Sequence, residues 1–566
     1  MSGAMDSLDT LLRCLRIRRC DHLPIVAAFC RRIGLIDTVN RVVPTQMEVD
    51  VGTTVQGMVL DTLSGRSPLY RLGAFFRQQD TELLLGRAVP DTAFNDTTVA
   101  RAMDALFAAG AATVFAEVAF QAAVRFPLDL RHVHFDTTSV SVWGDYPAAT
   151  DGGNHLHLTY GHSKDHRPDL KQFLLETLCV HRNIPILGGC ADGNAADKTR
   201  NHALLTRLSR HMARHGLGEG DFLYVADAAM VTQDNLARIG ANRFVTRLPF
   251  TYHEAERAVA TAVAAGVWDA IGPLAQTHVS PQRPAAVYRC AETTVTLYDT
   301  QYRAVVVHST AHDKRRQQRL QRQLDASQQH LQQRLAEESQ RQYYCRADAE
   351  SAATRLANET TSLHRLQVTV VENVRYAPGR PPKNRPRTIA AVRYQLTGEL
   401  QERADAIQRQ QQEAGCFVLL TNVPADGEHA YTGAQLLHAY KDQHGIERNF
   451  SFLKDPLIVN DLFLKKPERI ETLGAILLMA LLVWNLIEHA LRQHLAEHQQ
   501  CLPGWDNKAT DRPTAFMMST KFAGMQIIQC NAKRLLAEPL NHVQTSYLKA
   551  LHLTEQDLLN PYACPD

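Results

Sequence analysis

The chain has 566 residues, of which 45% are hydrophobic and 21% charged, a composition that is typical of a folded globular protein and excludes a disordered or fibrous one. Its length predicts about two to four folding units of ~100 to 200 residues each. Because 61 basic residues nearly balance 59 acidic ones, the net charge of +2 excludes attraction of the whole chain to a polyanion. Any nucleic-acid surface must therefore be local.

The eleven cysteines form no CxxC pair, which favours free thiols in a reducing compartment. The N-terminus lacks the apolar stretch of an export signal, so we expect a cytoplasmic protein. The 25 histidines show no zinc-binding spacing, and we expect no structural zinc.

Residues 1–125 are predicted to form a helical N-terminal module for DNA binding or dimerisation. From about residue 20, apolar side chains recur at spacings of three and four, as in LPIVAAFCRRIGLIDTVNRVV and TTVARAMDALFAAGAATVFAEVAFQAAVRF. The segment DTAFNDTTVARAMDALFAAG fits either a helix-turn-helix or a plain helical bundle.

Residues 126–250 change to a period of two and predict a mixed α/β core. Three extended runs, RHVHFDTTSVSVWG, HLHLTYGHS and FLLETLCVHR, indicate an antiparallel meander. Two helix–strand pairs follow, and their strands are DFLYVADA and RFVTRLP. Asp136 and Asp227 each end an apolar run of a strand, where a lone aspartate is usually a turn or cap residue.

Residues 251–412 interrupt this order and predict an insertion domain. One long helix from Asp313 to about Asn358 carries a narrow leucine stripe, which fits a solvated coiled-coil arm or a direct DNA contact. The following segment, YAPGRPPKNRPR, contains four basic residues and no acidic one: Arg380, Lys383, Arg385 and Arg387. It fits either a loop that follows DNA phosphates or an exposed basic linker.

Residues 413–495 return to core character, and 496–566 are predicted to be a helical C-terminal region. A helix near residue 440 places polar side chains at offsets of 0, 3, 7 and 14, within about 60° of arc, and these are Tyr440, Gln443, Glu447 and Lys454. The stripe borders an apolar face that includes Ala439, whereas Asn449 is predicted to face solvent. The apolar run Leu473–Ile487 is too short for a bilayer and predicts a buried helix.

Asp136, Asp227 and Glu447 supply the hard anionic oxygens that Mg²⁺ or Mn²⁺ prefers. Three carboxylates in one cleft repel one another unless cations neutralise them. Two such ions can activate a water or 3′-hydroxyl and stabilise the leaving oxygen of a phosphodiester, which is the chemistry of nucleases and transposases.

The segments HFDTTS, YVADAAM and YKDQHGIERNFSFLK resemble the three catalytic blocks of insertion-sequence DDE transposases with a Tyr-x2-Arg-x3-Glu-x6-Lys signature. The resemblance implies an α/β fold with an RNase H-like mixed sheet core, a helical N-terminal module, an insertion domain and a helical C-terminus. It also implies a metal-binding triad of Asp136, Asp227 and Glu447 that holds two Mg²⁺ or Mn²⁺ ions.

By the same resemblance, Tyr440 and Lys454 contact DNA phosphates, and Gln443 stands at the signature's arginine position without a charge. Lys164, in GHSKDHRPDLKQF, fits either a phosphate contact or a solvated loop. The implied activity is cleavage of transposon ends and strand transfer to target DNA by a homodimer in a synaptic complex, with no membrane involved. Two alternatives stay open: a metal-dependent nuclease on the same fold without strand transfer, and a domesticated DNA-binding protein.

Overall fold

The computed structural model describes residues 15–65, 71–146, 156–161, 167–181, 183–195, 197–274, 285–379, 386–427, 429–442, 449, 452–453, 464, 466–530, 533–560 and 562. Contacts divide the chain into two compact units. Unit 1 comprises Met1–Thr246 with His438–Asp566, and unit 2 is Arg247–Leu437.

The N-terminal part of unit 1 is helical, which confirms the prediction from apolar periodicity. After strand β1 (Leu15–Arg19), the helices are α1 (Leu23–Ile33), α2 (Leu35–Val42), α3 (Val51–Leu63), α4 (Leu72–Arg77), α5 (Thr81–Leu85), α6 (Asp96–Ala108) and α7 (Ala111–Arg125). Asp50 and Asn95 cap α3 and α6 by accepting from the backbone N–H groups of Thr53 and Thr98. Helices α6 and α7 meet at 86°.

A mixed sheet follows, which confirms the predicted α/β class. Its strands and connecting helices are β2 (His132–Val142), β3 (Lys171–Val180), β4 (Ile184–Asp192), α8 (Asp197–Arg214), β5 (Leu223–Ala226), α9 (Gln233–Ile239) and β6 (Arg243–Leu248). The spatial order is β4-β3-β2-β5-β6. Strands β2, β3 and β4 pair antiparallel, whereas β5 runs parallel to both β2 and β6.

The three-strand meander is present, but one of its predicted strands was wrong. Over the described residues 156–161 the segment HLHLTYGHS forms a single bridge, Thr159 to Gln172, rather than a strand. The third strand is β4, although Pro185 and Gly188 disfavour a strand by propensity. A Cβ at Gly188 would lie 2.7 Å from the backbone oxygen of Glu176 in β3 and 2.6 Å from Leu478 Cδ1, so the neighbouring strand and an overlying helix together leave no room for a side chain there.

That helix is α15 (Pro467–His498), which packs on β4 and on α1, α3, α6 and α7. At Gly474 a Cβ would meet the Cys190 sulfur, a second point of close contact with the sheet. Helix α15 meets the length and composition requirements for crossing a membrane, but 89% of its most apolar 18-residue window is buried inside the protein. The prediction of a buried helix over Leu473–Ile487 is confirmed.

The C-terminal part of unit 1 packs with the N-terminal residues. Its elements are β13 (Leu502–Pro503), β14 (Ala509–Thr510), α16 (Ala515–Lys521), β15 (Gln526–Cys530), β16 (Lys533–Leu536), α17 (His542–Ala550) and α18 (Glu555–Leu559). Strand β15 pairs antiparallel with β1, where Ile17 lies opposite Ile528, and with β16. Residues more than 500 positions apart therefore share one small sheet.

Unit 2 contains an antiparallel sheet, several helices and a long hairpin. Its elements are α10 (His253–Ala265), β7 (Asp269–Leu274), β8 (Ala286–Leu297), β9 (Thr300–Ser309), α11 (Thr310–Ser339), α12 (Arg346–Asn358), β10 (His364–Tyr376), β11 (Ile389–Glu402), α13 (Ala404–Glu413) and β12 (Cys416–Thr421), and α14 (Gly433–Lys441) begins in it. Strands β12, β9, β8 and β7 pair in that order.

The prediction of one helix from Asp313 to Asn358 was wrong, because α11 and α12 are separate. Tyr343, which lies between them, exchanges two 2.9 Å backbone hydrogen bonds with Tyr394 of β11, so its backbone pairs with a strand instead of continuing the helix. Leu331 and Leu335 of the predicted stripe pack with α12 against the β10–β11 hairpin, which covers the apolar side of the helix.

Candidate active site

Asp136 lies on β2, and Asp227 directly follows β5, the parallel neighbour of β2. The register of β2 with β5 places His134 opposite Val225, and two more residues along each chain lead to the two aspartates. Side chains at i and i+2 of a strand share a face, so Asp136 lies on the same face as His134, whereas Asp227 lies one residue beyond the end of β5. On the other side of Asp136, its partner in β3 is Thr177.

The two aspartates differ in local structure. Asp227 follows the last residue of β5, as predicted; its Oδ1 accepts from Ala229 N at 3.1 Å and its backbone oxygen accepts from Thr246 Oγ1 at 2.6 Å. The prediction that Asp136 ends its strand was wrong. Strand β2 continues to Val142 because it keeps pairing with β3, although its described pairing with β5 stops at His134.

Both carboxylates are oriented by nearby backbone groups and are reachable by solvent. Asp136 Oδ1 accepts from Thr137 N at 2.7 Å, and this side chain is half-buried, whereas Asp227 is exposed. Both negative charges act on neighbouring buried groups. Burial raises the pKa of the Cys179 thiol and of the Tyr224 phenol, and Asp136 and Asp227 respectively raise them further.

Asn449 lies against the sheet, so its predicted solvent exposure was wrong. The side chain is 2% exposed, and its Nδ2 donates to the backbone oxygen of Asn183 at 2.7 Å and to Cys179 Sγ at 3.4 Å. Its Oδ1 accepts from Asn485 Nδ2 of α15 at 2.9 Å. Helical angles alone placed Asn449 opposite the polar stripe, but they do not show which neighbours cover that side. A visible signal was Asn485, an amide that interrupts an apolar run.

The remaining predicted residues divide into described and undescribed ones. Tyr440 is half-buried on α14 beside Ala439, whose predicted burial is confirmed. Arg387 is exposed just before β11, and its guanidinium lies 5.7 Å from the centre of the Tyr376 ring at the end of β10. The other predicted residues lie outside the described part of the chain: Lys164, Arg380, Lys383, Arg385, Gln443, Glu447 and Lys454.

A metal centre at Asp136 and Asp227 needs a further ligand. Within the described ranges no three His, Cys, Asp or Glu side chains are grouped so as to hold a metal ion, and the predicted third ligand, Glu447, is outside them. The donor set fits Mg²⁺ or Mn²⁺ in kind, because both described carboxylates are hard oxygen donors.

The protein is mixed α/β, with one aspartate on strand β2 and a second directly after the neighbouring strand β5. Residues 15–120, which span β1 and the helices up to α7, match the family described as a domain of unknown function, DUF4277. No curated protein matches the chain.

Proposed function

We propose that the chain is a metal-dependent DNA transposase and that strands β2–β6 of unit 1 belong to its RNase H-like catalytic core. The observation that carries the proposal is that Asp136 and Asp227 each follow, by two residues, a paired position of the adjacent parallel strands β2 and β5, His134 opposite Val225. A second observation supports it: Asn449, two residues after Glu447 in the sequence, is bound on the face of the sheet that carries Asp136. The proposed triad is Asp136, Asp227 and Glu447.

Two Mg²⁺ or Mn²⁺ ions, when bound to these carboxylates, would supply charge stabilisation and an activated water or 3′-hydroxyl for phosphodiester cleavage and joining. The protein's own contribution is orientation. The backbone N–H groups of Thr137 and Ala229 each hold one oxygen of an aspartate, which fixes the two carboxylates relative to their strands. Neighbouring strands lie about 5 Å apart, so the paired positions suit a shared site.

The proposed DNA-binding surface includes the far end of the β10–β11 hairpin. A two-stranded antiparallel ribbon fits the major groove of DNA. Tyr376 and Arg387 flank the basic segment that contains Arg380, Lys383 and Arg385, and both are exposed. Four further residues are proposed to contact DNA: Tyr440, Lys454, Gln443 and Lys164. Double-stranded transposon ends and target DNA are the proposed partners of a cytoplasmic homodimer.

The test uses the full chain and a plasmid carrying the DNA that flanks its coding sequence. With Mg²⁺ we expect cleavage at both flanks and joining of pre-cut 3′ ends to a second DNA, and Asp136→Ala and Asp227→Ala should lose both steps. Asp221→Asn is the matched control, since Asp221 is an exposed carboxylate at the opposite end of β5 that accepts from Gly218 N. Equal activity in wild type and Asp136→Ala would refute the proposal.

The same assay separates the alternatives. Cleavage without joining of pre-cut ends would indicate a nuclease on this fold. Binding of the flanking DNA with neither step would indicate a DNA-binding protein that has lost catalysis.

A further inference from the structure

Thr177 of β3 is the cross-strand neighbour of Asp136. Strands β2 and β3 pair antiparallel with Asp136 opposite Thr177, and on the other side of β3 the residue opposite Thr177 is Gly188 of β4. Side chains of directly opposite residues share a face of the sheet, with their Cβ atoms about 4.5 to 5.5 Å apart. A hydroxyl and a carboxylate at that separation can form a hydrogen bond through rotation of their side chains.

The Thr177 hydroxyl is buried and has no hydrogen-bond partner among the residues that the structure describes. The side chain is 0% exposed, and its Oγ1 is one of the buried polar atoms that no described donor or acceptor meets. A hydroxyl that leaves water without gaining a partner loses the hydrogen bonds that it made there, so native proteins rarely keep such a group. Thr177 therefore has an unused donor beside a proposed metal ligand.

Asp136 is the strongest acceptor among the residues that adjoin Thr177 on this face of the sheet. Gly188 has no side chain, and Leu175, two residues before Thr177, is apolar. Cys179, two residues after Thr177, offers a thiol sulfur, which is a weak acceptor. An ionised carboxylate, in contrast, can accept about four hydrogen bonds. The neighbours of Thr177 thus direct its hydroxyl to Asp136.

We propose that Thr177 is a positioning residue that donates from its hydroxyl to the Asp136 carboxylate in the cation-bound site. This inference rests on the proposed function. Thr137 N already holds Asp136 Oδ1 at 2.7 Å, and a second donor from the neighbouring strand fixes the plane of the carboxylate more firmly. Loss of a group that hydrogen-bonds a metal ligand typically costs about 10- to 100-fold in metal affinity or activity.

The experiment measures Mn²⁺ binding by electron paramagnetic resonance on the full chain of wild type, Thr177→Val and Thr177→Ser. Valine has nearly the shape of threonine but lacks the hydroxyl, whereas serine keeps it. We expect an Mn²⁺ affinity about 10-fold weaker than that of wild type for Thr177→Val and within about twofold of it for Thr177→Ser. Equal losses in the two variants would show that the hydroxyl is not responsible, and would overturn the inference.

The melting temperature separates a positioning role from a structural one. In EDTA, Thr177→Val should melt no lower than wild type, because the hydroxyl has no partner to lose among the described residues. The same concentration of Mn²⁺ should then raise the melting temperature of wild type more than that of Thr177→Val, since a tighter ligand stabilises the folded state more. A melting temperature lowered equally with and without Mn²⁺ would make Thr177 structural and the inference wrong. Thr177→Ala serves if Thr177→Val does not fold.

Ser141→Ala is the matched control. Ser141 also carries a buried hydroxyl without a partner in the described part of the chain. It lies on the same strand as Asp136 but five residues later, and therefore on the opposite face. Ser141→Ala should keep the wild-type Mn²⁺ affinity. A loss equal to that of Thr177→Val would mean that any buried hydroxyl of this sheet has the same effect, and would overturn the inference.

The outcome for Asp136→Ala distinguishes the two proposals. Weakened Mn²⁺ binding in Asp136→Ala but not in Thr177→Val would leave the proposed function standing and overturn the positioning role. Equal Mn²⁺ binding in wild type and Asp136→Ala would overturn the metal site itself, and the positioning role with it.

Discussion

Arg534 and Asp80 form a buried ion pair between the C-terminal strand β16 and the start of α5, and its removal should unfold unit 1 more readily. Arg534 Nε lies 2.7 Å from Asp80 Oδ2, and the two side chains are 10% and 7% exposed. A second nitrogen of Arg534 lies 2.8 Å from Glu82 Oε2. We predict that Arg534→Met destabilises the protein because it leaves a buried carboxylate without its cation.

The structure sets the size of the effect. Breaking a buried pair by removing one partner costs about 3 to 5 kcal/mol. Asp80 keeps its bond from Leu83 N at 3.0 Å, so we expect about 3 kcal/mol for Arg534→Met. Adding Asp80→Asn removes the uncompensated charge and retains a cap for α5. The double variant should therefore recover about 1 to 2 kcal/mol of the loss.

The assay is urea unfolding followed by circular dichroism, with free energies compared at the midpoint of the same transition. Arg77→Met is the control, because Arg77 is 73% exposed in its 3.1 Å pair with Asp91 and such surface pairs contribute about 0 to 1 kcal/mol. Surface substitutions typically change the free energy of unfolding by roughly 0.5 kcal/mol or less. The reasoning is refuted if the free energy of unfolding of Arg534→Met lies within about 0.5 kcal/mol of that of the control.

Three further predictions follow from particular contacts. Gly188→Val should lower the free energy of unfolding in urea by about 1 to 3 kcal/mol, because its Cβ would lie 2.7 Å from the backbone oxygen of Glu176, which cannot rotate away, and 2.6 Å from Leu478 Cδ1. Burial lowers the pKa of His489 to about 4. The neutral side chain therefore contributes up to about 3 kcal/mol to the free energy of unfolding above pH 6.5, and this contribution is lost as the pH falls towards 4. His489→Gln should make the free energy of unfolding less dependent on pH in that range. On the proposed DNA-binding function, Arg387→Ala should lower the salt slope of DNA binding by about 1, whereas Arg365→Ala, at the base of the same hairpin, should not.

Local patterns predicted the elements whose environment is local. The three- and four-residue spacing of apolar side chains predicted α1, α6 and α7, and the length and apolarity of Leu473–Ile487 predicted a buried helix. The period of two in the apolar residues predicted β2 and β3. The position of Asp227 after an apolar run predicted that it follows the end of a strand. The core covers one face of α6 and α7 and all sides of β3 and of the apolar part of α15, so the apolar pattern of these elements reports their burial directly.

The errors concern contacts between distant residues. The β10–β11 hairpin was missed because its strands are rich in polar residues and its connection is far longer than the two-residue turns that signal a hairpin. Strand β4 was missed because Gly188 is needed for the approach of a helix 290 residues later. Asn449 was assigned to solvent because Asn183 and Asn485, which bury it, lie far away in the sequence.

Asn449 and Asn485 place polar amides in a core where apolar side chains would pack without any need for partners. Their hydrogen bonds join Asn449 and α15 to Asn183 and Cys179, in the turn after β3 and on β3 itself. A buried polar network of this kind favours one arrangement of the elements that it joins. Cys179 is opposite His134, which shares a strand face with Asp136, so the network lies on the face of the sheet that carries the first residue of the proposed triad.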